Sequence, residues 1–316
     1  MAMPPIDPTT YVAEPARRIG IVTVTYRSND VLPSFLDSIA ASSSERVEVV
    51  VVDNYPGEGS RASELAEGAG ARYVALPRNP GYGGGMNAGV AALPDAVQWV
   101  LITNPDVVLH PGVIDTLLNV ALLDRTIGAV GPAVVNPDGS VYPSARRVPS
   151  LRTGIGHALF VNLWRDNPWT QRYLQDSASI HPRDAGWLSG ACLLVRRDVF
   201  ALLGGFDDGY FMYFEDVDFG YRLGKAGLRN RYEPGAVVTH VGGHTADRDS
   251  AIMIRAHHDS ARRFLGRKYS GWRLAPLRFG LSAGLRVRSA FLERRSRAVG
   301  QSVEASGTGA TDSRDR

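Results

Sequence analysis

The stretch that most constrains this chain is Trp99 to Asp106, Trp-Val-Leu-Ile-Thr-Asn-Pro-Asp, an apolar run that ends on a carboxylate. Consecutive apolar residues suit a strand buried on both faces of a parallel sheet. Pro105 cannot continue a hydrogen-bonded ladder, so the strand stops there. Asn104 and Asp106 then stand near the C-terminal edge of the sheet, where open α/β folds bind ligands. A carboxylate and an amide are hard oxygen donors, suited to a divalent ion that carries a diphosphate.

The flanking sequence repeats the pattern. Ile19–Tyr26 and Val47–Val52 are strand-like and rich in β-branched residues; the second ends at Asp53, and Arg72–Leu76 follows as a third strand. Ser28 or Asn29 is placed to cap a helix whose stripe is Leu32, Phe35, Leu36 and Ile39. Residues 78–89 read as a glycine-rich loop entering a helix that Pro94 ends. Strands alternating with helices predict an α/β fold with a right-handed, mostly parallel sheet. Further on, the pattern predicts a helix over Pro111–Leu123 and a hairpin at Asn136-Pro-Asp-Gly139. Gly186–Arg196 reads as a strand, Asp198 as the cap of a short helix to Leu203, and Gly204-Gly205 as its break. A helix over Glu215–Gly227, a strand over Gly235–His240 and a long helix over Asp247–Phe264 complete the regular part, while residues 143–184 show no assignable period.

A chain of 316 residues with 44% hydrophobic content is long enough for one large α/β domain with added elements, or for two smaller domains. The net charge is only +3, which argues against a general nucleic-acid binder. Positive charge is concentrated late, however: between Arg262 and Arg297 the arginines and Lys268 face a single acid, Glu293. Beyond Pro276, Leu277, Leu281, Leu285 and Leu292 fall on one side of a basic amphipathic helix, the pattern of a segment lying on an anionic membrane surface. Interleaved aromatics for base stacking are lacking there, so nucleic acid is not the expected partner. Cys192 is the sole cysteine, which precludes an intrachain disulfide and fits a reducing cytosol. The Pro-rich residues 1–17 and the Ser/Gly/Thr-rich residues 301–316 read as disordered. No signal peptide and no apolar run of roughly 18 residues is expected.

Five constellations can carry chemistry. Asp53, at a strand end, can accept a pyrimidine N3–H or a ribose hydroxyl; it can equally cap the next turn. The loop Asn79–Asn87 is not a dinucleotide fingerprint, because Met86 stands where glycine is needed, and no Walker lysine follows. Its amides can still face a phosphate, with Arg78 supplying charge. Asn104 and Asp106 suit Mg²⁺ or Mn²⁺. Glu215, Asp216 and Asp218 lie among aromatics; Asp218 can pair with Arg222, which leaves another acid as general base. His240, or less readily His244, can complete a metal shell, and Trp187, Ser189 and Gly190 can hold a sugar face or simply pack.

Taken in order, these residues resemble family 2 glycosyltransferases of the GT-A fold. The pieces are Val22-Thr-Val-Thr-Tyr26, Val51-Val-Asp-Asn54, Asn79–Asn87, Asn104-Pro-Asp106, Trp187-Leu-Ser-Gly-Ala191, Gly205-Phe-Asp207, Phe214-Glu-Asp-Val-Asp218 and His240. Val141–Arg146 and Tyr210–Tyr213 are similar to actinobacterial rhamnosyltransferases that act on a decaprenyl-diphosphate-linked N-acetylglucosamine. Two departures stand out: Asn104 replaces the first Asp of the usual Asp-x-Asp, and Arg27 replaces an Asn.

The resemblance implies a GT-A domain over residues 18–265, a membrane-associating tail over 266–300 and a peripheral place on the cytoplasmic membrane face. It implies inverting transfer of L-rhamnose from dTDP-β-L-rhamnose to the 3-hydroxyl of a lipid-linked GlcNAc diphosphate, with Mg²⁺ or Mn²⁺. Asp216 would be the base, with Glu215 as the alternative. Thr25, Tyr26, Asp53, Arg78, Asn79, Gly84, Asn87 and Asn104 would bind the nucleotide sugar. Trp187, Ser189, Gly190 and Tyr213 would bind the acceptor, and Asp106 and His240 the metal. Two other readings fit the same residues: a transferase using a UDP- or GDP-sugar, and a non-catalytic sugar-nucleotide-binding module. A homo-oligomer is compatible with the sequence.

Overall fold

The computed structural model describes residues 18–150, 181–242 and 250–290. Two compact units emerge, one built from residues up to 208 together with 215–242, the other from 209–214 and the chain after 242.

The first unit is built on strands β1 (Ile19–Thr25), β2 (Glu48–Asp53), β3 (Arg72–Ala75), β4 (Trp99–Thr103), β5 (Val107–Leu109) and β6 (Ile127–Val135). To these are added β7 (Val141–Tyr142), β8 (Ala145–Arg146), β9 (Arg183–Ala185), β10 (Trp187–Leu188), β11 (Cys192–Arg196) and β12 (Arg229–His240). The main sheet runs β3-β2-β1-β4-β11-β6-β12-β5. Pairing is parallel from β3 through β4 and between β6 and β12, while β11 and β5 run antiparallel to their neighbours. The chain passes from β3, at one edge, to β4 on the far side of β1, so a crevice opens at the C-terminal ends of β1 and β4.

Side chains alternate across each strand, and both faces are covered. Ile19, Ile21, Trp99 and Leu101 face a core shared with α1 (Leu32–Ser42), α2 (Ala62–Gly68) and α4 (Val113–Leu123). Val22, Val24, Val100 and Ile102 face the other core, with α3 (Gly81–Ala92), α5 (Arg197–Leu202) and α6 (Glu215–Lys225). That is why β1 and β4 are buried at every position. Each fully buried aliphatic side chain contributes about 1.5–3 kcal/mol.

Several sequence expectations shift by a turn or a strand. Ser28 and Asn29 do not cap α1. Ser28 Oγ contacts the Tyr26 backbone, and the Asn29 side chain ties down Gly59 and Arg61. The glycine-rich loop is already helical from Gly81, because the glycines allow α3 to press on the sheet. A Cβ at Gly85 would fall 2.9 Å from Val24 and from Asn54, and one at Gly89 would strike Val22 and Val52. Gly186–Arg196 is not one strand; it breaks at Ser189–Ala191 into β10 and β11. Asp198 lies inside α5 and pairs with Arg196 instead of capping. β12 starts six residues earlier than the pattern indicated, since Pro234-Gly235 sits in a bulge between Glu233 and Val237 and does not end the strand. The hairpin at Asn136–Gly139 and the break at Gly204-Gly205, both with positive φ, form as expected.

The second unit contains α7 (Ser250–Lys268) and a helix over residues 275–290, here α8. Among the described residues no helix is long and apolar enough to cross a membrane.

Candidate active site

Register at the sheet edge assembles the first part of the site. β12 runs antiparallel to β5 with His240 opposite Val107, and Val241 N–H donates to the Asp106 carbonyl at 2.9 Å. His240 Nε2 therefore lies 3.1 Å from Asp106 Oδ1 and 3.3 Å from Asn104 Nδ2. Among the described residues no further histidine, cysteine or acid completes a cluster of three, and His244 lies outside them. One carboxylate oxygen, one imidazole nitrogen and an amide that can present its oxygen by turning over fit a small divalent ion that keeps positions for phosphate oxygens and water. The donor spacing is near the edge of about 3 Å expected around an octahedral ion with bonds of about 2.1 Å.

The second part is an acid pair at the start of α6. Glu215 is buried, and among the described residues its Oε2 has no hydrogen-bond partner. Burial, reinforced by the neighbouring Asp216, pushes its carboxyl up to about 8. Asp216 is half-buried and differently held: Oδ2 accepts the Gly190 N–H at 3.0 Å and Oδ1 the Val217 N–H at 2.7 Å. Desolvation raises its pKa too, opposed by these backbone donors and by Arg146. Asp218 is fully buried and takes Arg222 Nε at 2.7 Å, while that guanidinium also donates to the Leu203 and Gly205 carbonyls. It is a structural ion pair, as the i,i+4 spacing predicts.

The Ser189–Ala191 turn joins the two parts. The Ala191 carbonyl accepts the Asn104 N–H at 3.0 Å and the Thr103 hydroxyl at 3.2 Å, and the Gly190 N–H holds Asp216. The Gly190 carbonyl accepts the Tyr82 hydroxyl from the first turn of α3 at 2.5 Å. Tyr82 is held far above the usual phenol range by burial and by Glu215, Asp216 and Asp106, so its proton stays on and it remains a donor. Tyr82 sits among glycines whose local signature is that of a loop, so the sequence around it does not mark its ring. A Cβ on Gly190 would lie 3.3 Å from Tyr82 and 3.6 Å from the Asp216 Cβ, so only glycine fits without a shift.

The remaining expected residues divide. Asp53 is buried, and its carboxylate accepts Tyr55 N–H at 2.8 Å, Ser60 Oγ at 2.6 Å and Tyr73 OH at 3.1 Å, so it organises the turn after β2. That turn sets Tyr55 edge-on to Tyr26, with Arg27, at φ +56°, placing its guanidinium 4.3 Å from the Tyr55 ring centre. Of this cluster only Tyr26 was an expected binding residue; Tyr55 and Arg27 join it through the turn. Thr25 is buried with its hydroxyl toward the Val52 carbonyl, and so is turned away from a ligand. Asn79 Oδ1 caps Gly81 N–H at 2.8 Å and takes Asn54 Nδ2, so this amide is occupied by the fold. Asn87 grips the Phe206 backbone with both ends of its amide and also reaches Asp208, a clamp in place of the expected nucleotide contact. Gly84 packs on Pro80, and Arg78 is exposed. Trp187 is buried with Nε1 donating to the Arg147 carbonyl, Ser189 is buried, and Arg146 stacks between the Trp187 and Tyr142 rings. Tyr213 belongs to the second unit, against His257 and Met253.

A metal-fitted sheet edge, an aromatic surface at the switch point and an acid pair one turn of chain away define the GT-A class of sugar-nucleotide enzymes. The comparisons agree. Residues 15–258 match the model described as "Glycosyltransferase like family 2", and the chain belongs to that family of glycosyltransferases. It is 43% identical, over 88% of its length and 94% of the relative's, to the N-acetylglucosaminyl-diphospho-decaprenol L-rhamnosyltransferase of Mycobacterium tuberculosis. It is 26% identical to rhamnosyltransferase WbbL of Escherichia coli, over 79% of this chain and 93% of that one. Among solved structures, the mannosyltransferase PcManGT of Pyrobaculum calidifontis has a TM-score of 0.54 at 19% identity, covering 96% of this chain and 81% of that one. GalNAc-T7 gives a TM-score of 0.57 at 16% identity, covering 78% and 47%. These two share the fold.

Proposed function

We propose that the chain transfers L-rhamnose, with inversion, from dTDP-β-L-rhamnose to the 3-hydroxyl of GlcNAc on a polyprenyl diphosphate, at the cytoplasmic membrane face. The 43% identity to a rhamnosyltransferase with this type of acceptor supports the substrate pair. The observation that carries the chemistry is the unequal acid pair. Glu215 is buried with an orphan oxygen and its carboxyl is pushed up to about 8, whereas Asp216 receives two backbone N–H donors that favour its charged form against the desolvation that raises it. Those donors single out Asp216 as the base of this reading.

The thymine base lies on the Tyr26, Tyr55 and Arg27 surface, and the diphosphate runs toward Asp106. Asp106 and His240, with Asn104, would hold Mg²⁺ or Mn²⁺, whose charge would neutralise the leaving diphosphate. The acceptor oxygen loses its proton to Asp216 and forms the new bond at C1 of the rhamnose. The bond from C1 to the dTDP oxygen breaks, and the electron pair leaves with dTDP. Arg146, Trp187 and the Ser189–Gly190 turn flank the acceptor side. The arginine-rich second unit keeps the enzyme at the lipid surface.

Mass spectrometry of the lipid product, with dTDP-rhamnose and UDP- and GDP-sugars offered in parallel, tests this reading. Wild type should yield a rhamnosylated acceptor from dTDP-rhamnose alone. Asp216→Asn should lower kcat by about 10²–10⁴-fold while donor binding persists. Near-normal turnover by Asp216→Asn would reject the base assignment.

A further inference from the structure

The second unit holds a cavity of about 820 Å³, within the size range of small-ligand sites. Two helix faces make its walls. From α7 come Ile252, Arg255, Ala256, Asp259, Arg262 and Arg263, spaced as one helical stripe. From α8 come Arg278, Leu281, Ser282 and Leu285, spaced i, i+3, i+4 and i+7. Leu281 and Leu285, two of the leucines expected to lie on a bilayer, thus face α7 across this space, while Leu292 lies outside the described residues.

The lining is amphiphilic and its charge is unbalanced. The lining carries four guanidiniums, of Arg255, Arg262, Arg263 and Arg278, and one carboxylate, Asp259, with Arg263 also set over the Tyr210 ring. Asp259 takes Arg262 at 2.7 Å and Arg255 at 3.8 Å. Arg278 donates to the Tyr269 and Gly271 carbonyls, and among the described residues no carboxylate pairs with it. Beside these sit Ile252, Leu265, Leu281 and Leu285. Outside the cavity the same unit exposes Trp272 at 79% and Phe279 at 77%, side chains that favour a membrane–water boundary.

Excess positive charge beside aliphatic walls suits a molecule that joins a phosphate to hydrocarbon. We propose that this cavity seats the head group and first methylenes of an anionic phospholipid. The inference rests on the membrane-surface reading above and makes it specific, adding a stoichiometric site to diffuse attraction between arginines and a charged bilayer.

The probe is dihexanoyl-phosphatidylglycerol below its micelle concentration, titrated calorimetrically into the full chain, with dihexanoyl-phosphatidylcholine alongside. Saturable binding of the anionic lipid alone is expected. Arg255→Gln with Arg262→Gln should weaken it by about tenfold or more, since each basic group contributes about 1 kcal/mol. Ser282→Trp, which fills the cavity, leaves every charge in place and removes only the hydrogen bond from Arg262 Nε, should weaken it comparably, whereas Ser282→Ala, which removes that bond without filling the cavity, should not. Arg286→Gln with Arg288→Gln removes the same charge from α8 outside the cavity and should leave binding within about threefold, well short of the cavity pair's loss. Equal loss in both arginine pairs, equal binding of the two lipids, or no saturable binding would overturn the proposal. Stronger binding of farnesyl diphosphate at the same residues would reassign the cavity to the acceptor lipid and overturn it as well. A wild-type chain that transfers rhamnose but binds no short-chain lipid would sink the cavity alone and leave the proposed reaction standing.

Discussion

Glu215 and Asp216 are adjacent in the chain, yet their surroundings differ enough to separate their roles. The unfolded Glu215 titrates near 4.5 and the folded one near 8. Between those values the folded chain retains a proton that the unfolded chain has released, so stability falls as pH rises through this window and then levels off. Glu215→Gln removes the slope. Its melting temperature relative to wild type should climb between about pH 5 and about pH 8, and a constant difference would contradict the buried, protonated assignment. Tyr82 reaches Asp216, the proposed base, through Gly190. Tyr82→Phe should lower kcat by roughly tenfold, the scale of one lost hydrogen bond, with the donor KM unchanged. A matching rise in donor KM would instead place Tyr82 on the nucleotide. Asp53 and Asp218 show why residue type alone misleads: both are acids near the site, and the fold engages each with specific donors.

At the scale of elements, the site depends on how closely α3 approaches the sheet. Gly89 allows that approach, because any Cβ there meets Val22 and Val52. Gly89→Ala should cost about 1–3 kcal/mol in urea unfolding, the usual penalty for overpacking. Gly68→Ala, at the end of α2 with nothing within 4 Å of the added Cβ, should be neutral or stabilising by up to about 1 kcal/mol. Equal costs at the two positions would remove the packing explanation. The glycines of residues 78–89 were legible as a special segment, but their reason was not. A run of glycines has the same local signature in a phosphate loop as in a helix pressed against a sheet. The break at Ser189–Ala191 was hidden for a related cause: its residues are individually compatible with a strand, and only the bonds to Asn104, Tyr82 and Asp216 pull them out of it.

For the whole molecule, ligand binding should be readable as stability. A ligand at 100 times its Kd raises unfolding free energy by about 2.7 kcal/mol. dTDP with Mn²⁺ should therefore raise the melting temperature of the full chain, and a chelator should reverse most of the gain. Asp106→Asn and His240→Ala should each abolish the metal-dependent part. A gain that survives in both variants would remove these residues from the metal site.

Period and composition alone determined the α/β class, the strands that end at Asp53 and Asn104, the Asp218–Arg222 pair and the basic terminal helix. Those features follow from neighbours a few residues apart, where burial on two faces or one helical turn leaves a readable period. Tertiary structure decided the rest. Asp106 and His240 are 134 residues apart and meet only through the register of β5 on β12. The Tyr82–Gly190–Asp216 link joins two helices through a turn between strands, and Leu281 and Leu285 of α8 acquire their cavity only when α7 faces them. Contacts at such separations are set by which strands pair and which faces pack, and a chain read one window at a time carries no local trace of them.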